Sequence, residues 1–389
     1  MMKLAVIFES SPFDRKGLFN AVHNRVKHLV ATGECVVDVY CVHSRDNALT
    51  RRVRHTPSVP SVETVAIDGI TYKILWYRFS ILDHVLLEKL HVRPWLFRRF
   101  MASHVDLLKG YDAVIAHSFC GGLFALAAHR SFGVPYYVTW HGSDVHTHPW
   151  RVPVILEDTK AVMEAAKCNF FVSKALLTAS DKITVQARKE VLYNGVSEDF
   201  VELSTSEKNA VRERYGLSEE DRVVAFVGNL VPVKNVLVLP DLFTKLASGF
   251  SGSLKFWIVG DGKLRSALES AFAQRGSGQI RFFGNVPPTD MPSIMNCVDL
   301  LVIPSLNEGL PLVCAEALRC GANVVGSDVG GIAEVIGTEN VAPLGDGFTD
   351  TLAAKAISYL TAGAASQILS EDFSWPRTAA RELEFLLEK

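Results

Sequence analysis

The chain has 389 residues, a length that suits about two domains. Hydrophobic residues make up 48% of the sequence and charged residues 21%, which excludes an intrinsically disordered protein. The formal net charge of −2 excludes a strongly basic nucleic-acid-binding protein, so we expect no nucleic-acid partner.

Charge divides the chain into two halves. Residues 1–197 carry 24 Lys and Arg against 17 Asp and Glu, whereas residues 198–389 carry 16 against 25. The first half is therefore basic and the second acidic. All 12 histidines lie in the first half, so any chemistry that needs a histidine is expected there.

Cysteine usage and hydropathy indicate the compartment. The seven cysteines are scattered and form no C-x-x-C pair, which predicts reduced thiols and no zinc site. Only five consecutive apolar residues precede Glu9, too few for the core of a signal peptide. No stretch approaches the 18 apolar residues that a membrane-spanning helix needs. We therefore expect a cytoplasmic protein.

Short runs rich in Val, Ile and Phe alternate with amphipathic stretches, a pattern typical of parallel strands joined by crossover helices. In the first half, strands are predicted at residues 4–8, 35–42, 113–116, 136–140, 169–172 and 190–193, with helices at 18–31 and 122–132. In the second half, strands are predicted at 223–227, 254–259, 280–283, 300–303 and 323–325. These runs are almost continuously apolar, as in sheets covered on both faces. The sequence therefore predicts two doubly wound α/β domains.

Residues 195–221 form a polar, acidic stretch without a strand signal, which suits a linker followed by a short helix at 206–215, and the domain boundary is expected near residues 198–205. We assign residues 1–200 to an N-terminal domain and residues 201–365 to a C-terminal domain. Residues 366–389 are expected to form a C-terminal helix that crosses back to the N-terminal domain.

The most informative segment runs from Pro304 to Glu316 and follows an apolar strand. Pro311 suits the first turn of a helix, because that position needs no N–H donor. Unpaired N–H groups around Gly309 would then face the carboxyl edge of the sheet, where a diphosphate can bind. Glu308 lies just before this helix and Glu316 about two turns into it. One carboxylate could bind a sugar hydroxyl and the other a ribose diol, but two solvated acids at arbitrary spacing would look the same.

Further motifs resolve this choice. Glu308 and Glu316 form an E-x7-E pair, and the chain also contains HGSD (141–144), YNGV (193–196), FVGNLVPVKN (226–235), FFGNV (282–286) and SDVGG (327–331). In type and order these motifs resemble the retaining nucleotide-sugar glycosyltransferases with the GT-B fold, most closely glycosyltransferase family 4 of the bacterial surface-polysaccharide type. The resemblance implies two Rossmann-like domains facing a central cleft.

The resemblance also implies roles for residues of the second half. Lys234 would contact the donor diphosphate, and Glu308 the donor sugar, supported by the backbone of Gly309, Leu310 and Pro311. Glu316 would bind the ribose. The loop at Gly284 would contact the nucleobase. Asn229 occupies the position at which the family usually has an arginine. Because an amide carries no charge, Asn229 should stabilise the diphosphate less than that arginine would.

In the first half, the resemblance places His141 near the donor sugar as a catalytic residue together with Glu308 and Lys234. Asp144 would orient the HGSD loop on the acceptor side. The family usually has a glycine pair after the first strand, whereas only Gly17 is available here, so the acceptor loop is expected to differ.

The implied reaction is transfer of a sugar from a nucleoside-diphosphate sugar, with a UDP-sugar as the expected donor, to a saccharide or polyprenyl-linked acceptor. Retention could use a covalent carboxylate intermediate, but the motifs supply no convincing nucleophile, which favours same-face attack. No D-x-D triplet occurs in the sequence, so we expect a metal-independent enzyme without a cofactor. A sugar-nucleotide epimerase and a non-catalytic sugar-binding protein remain as alternatives.

A basic segment suggests a further partner. A helix starting at Pro94 would place Leu96, Phe97, Phe100 and Met101 on one face, with Arg98 and Arg99 beside it. Such a surface could rest on an anionic membrane at the inner face of the cell membrane. Alternatively, this face packs on the sheet of its own domain and the arginines are only solvated.

Overall fold

The computed structural model describes residues 1–13, 17–45, 59–78, 81–275, 280–361 and 367–388. The chain divides into two compact units. The first unit comprises Met1–Gly195 together with Trp375–Lys389, and the second comprises Val196–Ser374. The division after residue 195 lies five residues before the boundary that we expected from the sequence.

The first unit is built on a sheet whose described strands follow the order β3-β4-β2-β1-β5-β6-β7-β8. All neighbouring pairs are parallel except β3 with β4. The strands are β1 (Met2–Glu9), β2 (Cys35–Ser44), β3 (Thr64–Ile67), β4 (Ile70–Tyr77), β5 (Ala113–His117), β6 (Tyr136–Trp140), β7 (Cys168–Phe171) and β8 (Lys189–Val191).

Helices join these strands. They are α1 (Gly17–Ala31), α2 (Ile81–Glu88), α3 (Trp95–His104), α4 (Ser118–Phe132), α5 (Ser143–His146), α6 (His148–Arg151), α7 (Pro153–Ala165) and α8 (Lys174–Ser180). The central strands β1, β5, β6 and β7 are buried along most of their length, because helices cover them, as their apolar sequences predicted.

The sequence prediction missed the hairpin formed by β3 and β4. Its two-residue turn is Asp68-Gly69, and both residues have positive φ angles, 49° and 78°. Asp-Gly is among the dipeptides most suited to such a turn, because glycine adopts positive φ without strain and aspartate tolerates it. The signal was therefore present in the sequence, although the alternation of parallel strands and helices did not predict it.

The second unit has a fully parallel sheet whose described strands follow the order β11-β10-β9-β12-β13-β14. The strands are β9 (Asp221–Val227), β10 (Ser253–Val259), β11 (Ile280–Gly284), β12 (Leu300–Ile303), β13 (Asn323–Ser327) and β14 (Val341–Ala342). The last strand was not predicted, because two residues leave no apolar run to detect.

The helices of the second unit are α9 (Thr205–Arg214), α10 (Leu239–Gly249), α11 (Arg265–Arg275), α12 (Met291–Cys297), α13 (Leu312–Arg319), α14 (Ile332–Ile336) and α15 (Phe348–Thr361). Helix α9 begins at a capping box, in which Ser204 and Glu207 bond each other's backbone N–H groups. Its position agrees with the short helix expected at 206–215.

Each sheet has a topological switch point, where consecutive strands change from building outwards on one side to building on the other. In the first unit this point lies between β1 and β5, and in the second between β9 and β12. Ligands of open α/β sheets bind at the carboxyl ends of strands beside such a point. The fold therefore marks one candidate binding edge in each unit.

The final helix, α16 (Trp375–Leu387), belongs to the first unit and packs on α1. Arg25 of α1 donates from Nε to Oε2 of Glu382 at 2.6 Å, and their side chains are 1% and 0% exposed. The Tyr137 hydroxyl also donates to the Phe385 carbonyl at 2.8 Å. A buried ion pair and a buried hydrogen bond thus attach this helix to the unit.

The side chains that α3 exposes are not those that the sequence predicted. Phe97 and Phe100 contact the buried ring of Phe124, with ring centroids 6.3 and 5.8 Å apart. These two side chains therefore pack on their own unit, as the alternative interpretation of this face proposed, whereas Leu96 and Trp95 are exposed. Within the residues that the structure covers, none of the helices is long and apolar enough to cross a bilayer.

Candidate active site

The loop between β12 and α13 lies at the switch point of the second unit. Pro311 is the N-cap residue, and α13 begins at Leu312, one residue later than the sequence suggested. Glu316 is therefore the fifth residue of the helix rather than two turns into it. Gly309 and Leu310 are partly exposed in this loop, and Pro311 is buried.

Glu308 is held by two hydrogen bonds to the same carboxylate oxygen. Lys234 Nζ lies 2.5 Å from Glu308 Oε1, and Ser305 Oγ donates to it at 2.7 Å. The side chains of Lys234 and Glu308 are 25% and 11% exposed. The expected phosphate-binding cation and sugar-binding acid thus form a partly desolvated ion pair that an incoming anion can reach.

Backbone contacts tie the surrounding loops together. Leu306 donates its N–H to the Val233 carbonyl at 2.8 Å, which joins the loop after β12 to the loop that carries Lys234. Gly330 has a φ of 53°, and a Cβ there would lie 1.9 Å from the Glu308 carbonyl oxygen. Only glycine fits that position, because the loop after β13 packs directly against the backbone of Glu308.

The loops after β9, β10 and β11 are joined in the same way. Gly228 donates to the Val259 carbonyl at 2.9 Å, and Gly260 donates to the Gly284 carbonyl at 2.8 Å. Gly284 therefore lies on the same carboxyl edge as the Lys234 loop. Asn229 is exposed there.

Glu316 has an unusual environment for a carboxylate. Desolvation raises the pKa of Glu316 from 4.5 to about 7. Among the residues that the structure describes, none donates a hydrogen bond to its carboxyl group. A carboxyl group that is desolvated without donors is suited to bind a ligand that supplies them, such as a diol.

In the first unit, the HGSD motif forms the turn after β6. The buried Asp144 carboxylate accepts from the backbone N–H of Gly142 at 2.8 Å and from that of His141 at 3.2 Å. Burial raises the pKa of Asp144, and these bonds together with one from Ser118 oppose the rise. The side chain of Asp144 is therefore occupied in fixing the loop.

His141 is paired with a second histidine that the sequence reasoning did not identify. His117 Nδ1 lies 3.1 Å from His141 Nε2. Desolvation, aided by the charge of Arg25, lowers the pKa of His141 to about 3, and it lowers the pKa of His117 well below 6.5. Both imidazoles are therefore neutral near pH 7, and one donates a hydrogen bond to the other.

The predicted residues thus form two groups. Lys234 and Glu308 are in direct contact in the second unit, and His141 and Asp144 share one loop in the first. Gly17 is exposed at the start of α1, with open space around it. Sequence reasoning assigned no role to Ser305, Gly330 or His117. Ser305 and Gly330 lie within the segments quoted above, and His117 is the last residue of β5.

Comparison with known families agrees with this division. Residues 17–195 match the glycosyl transferase 4-like domain, and residues 207–371 match the glycosyl transferases group 1 family. The chain is 30% identical over 233 residues to the putative teichuronic acid biosynthesis glycosyltransferase TuaC of Bacillus subtilis, covering 58% of this chain and 55% of that protein. It is 29% identical over 235 residues to the 2-deoxystreptamine glucosyltransferase of Streptomyces kanamyceticus, covering 56% and 60%. The chain therefore spans little more than half the length of these relatives.

Solved structures share the fold along the whole chain. Sucrose-phosphate synthase from Thermosynechococcus elongatus superposes with a TM-score of 0.71 at 19% identity, covering 99% of this chain and 94% of that one. HepE from Anabaena, in complex with UDP and glucose, superposes with a TM-score of 0.66 at 17% identity, covering 99% and 100%. These structures confirm the predicted GT-B class of two parallel-sheet α/β domains.

The motifs, the sheets and the two domain matches point to the same assignment. Residues 17–195 match a glycosyl transferase 4-like domain, and residues 207–371 match a domain of the glycosyl transferases group 1 family.

Proposed function

We propose that the protein is a retaining, metal-independent glycosyltransferase. It transfers a sugar from a nucleoside-diphosphate sugar, preferably a UDP-sugar, to a saccharide or lipid-linked saccharide in polysaccharide biosynthesis. Relatives support this class of reaction, since TuaC is described as a teichuronic acid biosynthesis enzyme. The UDP preference is supported by HepE, which has been solved with UDP and with UDP-glucose.

The Lys234–Glu308 pair is the observation that carries the proposal. It lies at the switch point between β9 and β12, beside the first turn of α13. The ammonium and the helix N-terminus provide positive charge for a diphosphate, while the acid provides an acceptor for sugar hydroxyls. A single edge thus offers groups for both parts of a sugar nucleotide.

The proposed transfer proceeds by same-face attack. Lys234 and the amides near Gly309 stabilise the negative charge that develops on the departing diphosphate. A phosphate oxygen of that leaving group takes the proton of the attacking acceptor hydroxyl. Neutral His141, held by His117, can offer a hydrogen bond to a sugar hydroxyl without adding positive charge.

Nucleotide release tests this function against the alternatives. UDP-, GDP-, ADP- and TDP-sugars are first ranked by the rise that each causes in the melting temperature. With the best donor, nucleoside diphosphate should be released rapidly only when an acceptor is added, and the new linkage should keep the donor's anomeric configuration in the NMR spectrum. EDTA should leave the rate unchanged. An epimerase would change the sugar without an acceptor, and a binding protein would release nothing.

An anionic membrane surface is part of the same proposal, with the protein on the cytoplasmic side. Leu90, which precedes α3, is 61% exposed, and Trp95, the first residue of α3, is 60% exposed. Lys89 and Arg99 are exposed as well. Exposed tryptophan and leucine among basic residues suit the interface of an anionic bilayer. The outward residues, rather than Phe97 and Phe100, would make this contact.

Sedimentation with anionic liposomes tests the membrane contact. We expect binding at low ionic strength that weakens as salt rises, because each basic residue contributes about 1 kcal/mol near the surface. Lys89→Ser with Arg99→Ser should weaken it by more than tenfold, as about 2 kcal/mol implies. The charge-matched pair Arg214→Ser with Arg319→Ser, in the second unit, serves as the control. Protein that remains in the supernatant at low salt contradicts the proposal.

A further inference from the structure

A cavity of about 730 Å³ opens in the first unit at its switch point. Its lining includes Glu9 at the end of β1 and Phe119 and Cys120 in the first turn of α4, the helix that follows β5. Helices α3 and α7 form its other sides. Cavities of about 300 to 1,000 Å³ at such points are typical of small-molecule sites. We call this cavity the switch-point pocket.

Apolar side chains form most of the wall of the switch-point pocket. The described apolar lining consists of Leu87, Pro94, Phe97, Met101, Phe119, Leu123, Leu126, Ala127, Val154, Ile155 and Ala161. Helices α3, α4 and α7 all contribute, so the apolar wall surrounds the cavity on several sides. A wall of this kind gains by binding a flexible hydrocarbon chain, because the chain leaves water as it enters.

The charges around the pocket favour an anionic ligand. Arg98, Arg130 and Arg151 line it, and none of them forms an ion pair with an acid of the described residues. The pocket also has acids. Arg93 binds two of them, Glu157 at 3.1 Å and Asp158 at 2.9 Å.

The third acid, Glu9, accepts from the Tyr77 hydroxyl at 3.3 Å. His148 completes the polar lining. The lining thus contains four arginines and three carboxylates, and the structure describes no acid paired with Arg98, Arg130 or Arg151, which leaves positive charge available at the wall.

The pocket adjoins the histidine pair. His117 ends β5, and Phe119 and Cys120 follow it by two and three residues. Since His117 contacts His141 and β5 pairs with β6, the pocket wall at Phe119 and Cys120 and the HGSD loop lie at the same carboxyl edge of the sheet. The apolar cavity and the candidate catalytic histidine therefore belong to one continuous edge of the first unit.

We propose that the switch-point pocket binds the hydrocarbon chain of a phosphorylated lipid acceptor, with the phosphate at the arginines and the saccharide end towards His141. This assignment rests on the proposed transferase function and names the class of its acceptor. The apolar wall and the free arginines are both needed, because a neutral chain leaves the arginines without a partner and a small anion leaves the wall empty.

Calorimetric titration of the full chain tests the pocket without any sugar donor. The probes are farnesyl phosphate, geranyl phosphate, farnesol and inorganic phosphate, all kept below their micelle concentrations. Farnesyl phosphate should bind more than 100-fold tighter than inorganic phosphate, because each buried methylene-sized group strengthens binding by about fourfold. It should also bind tighter than both geranyl phosphate and farnesol. Equal binding of farnesyl and inorganic phosphate overturns the proposal, and this result needs no variant to fold.

Two pairs of variants locate the site. Ala127→Phe fills the pocket and should weaken the binding of farnesyl phosphate at least tenfold. Ala102→Phe, on the exposed side of α3, should leave this binding unchanged. Arg98→Gln with Arg130→Gln should weaken the binding of farnesyl phosphate but not that of farnesol. The control Lys27→Gln with Lys109→Gln, at two exposed residues that do not line the pocket, should change the binding of neither. The assignment is overturned if Ala127→Phe, or Arg98→Gln with Arg130→Gln, binds farnesyl phosphate as tightly as the unaltered protein does.

The outcomes separate this inference from the proposed function. Transfer to a soluble saccharide without farnesyl phosphate binding refutes the lipid site and leaves the transferase function intact. Farnesyl phosphate binding without acceptor-dependent nucleotide release supports the site and contradicts the transferase function.

Discussion

Replacing Lys234 with alanine is expected to weaken the binding of nucleoside diphosphate by about 10- to 150-fold and to lower turnover as well. The range corresponds to a charge-assisted contact with phosphate worth about 1.5 to 3 kcal/mol. Turnover falls because the same ammonium would stabilise the charge that the departing diphosphate gains in the transition state. Calorimetry of UDP binding and initial rates of nucleotide release measure the two effects.

The ion pair with Glu308 decides where in this range the result should fall. In the free protein Lys234 already bonds Glu308 at 2.5 Å, so phosphate must share the ammonium, and the lower end of the range is expected for affinity. Lys245→Ala is the matched control, because Lys245 is also ion-paired and partly exposed in the same unit, with Asp241 at 3.3 Å. Unchanged UDP affinity and unchanged turnover in Lys234→Ala would remove Lys234 from the phosphate site.

Most of the fold was predictable because its strands are buried on both faces. Runs such as Leu300–Ile303 are apolar at every position and entirely buried, and such continuity distinguishes covered parallel strands from half-exposed ones. The hairpin at Asp68-Gly69 was missed because its first strand, Thr64–Ile67, lies at the edge of the sheet, has exposed residues and forms no continuous apolar run. Its turn chemistry, rather than its hydropathy, was the available signal.

The pairings within the site required the strand order. Lys234 and Glu308 are 74 residues apart, and they meet because β9 and β12 are neighbours at the switch point. His117 and His141 meet because β5 pairs with β6. The motifs identified which residues carry chemistry, but a sequence without strand order gives no distance between two loops. The position of α13 depended on a different detail, since Pro311 occupies the N-cap rather than the first turn.

Substitutions of the two acids of the E-x7-E pair should affect different quantities, nucleotide affinity in one case and turnover in the other. Glu316→Gln is expected to lower nucleoside-diphosphate affinity by about 10- to 150-fold, because a carboxylate accepts charge-assisted bonds from the ribose and an amide does not. Glu308→Gln should instead lower turnover. It should leave UDP affinity unchanged or raise it, because it releases Lys234 from its counter-ion. Glu269→Gln, which breaks an exposed ion pair with Arg265 at 2.9 Å, is the control.

The pH dependence of binding gives Glu316 a signature of its own. Since burial raises its pKa to about 7, the free protein takes up a proton at Glu316 as the pH falls below 7. A ribose diol donates to the ionised form, so nucleotide binding must expel that proton. The affinity for a UDP-sugar, whose diphosphate diester does not titrate in this range, should therefore fall between pH 7 and pH 5 by up to about tenfold per pH unit, while above pH 8 it should be constant. Calorimetry in buffers of different ionisation enthalpy should detect the released proton at pH 6 and lose this signal in Glu316→Gln. If Glu316→Gln retains the proton release, another group binds the ribose, and the desolvated carboxylate of Glu316 has no part in recognising the nucleotide.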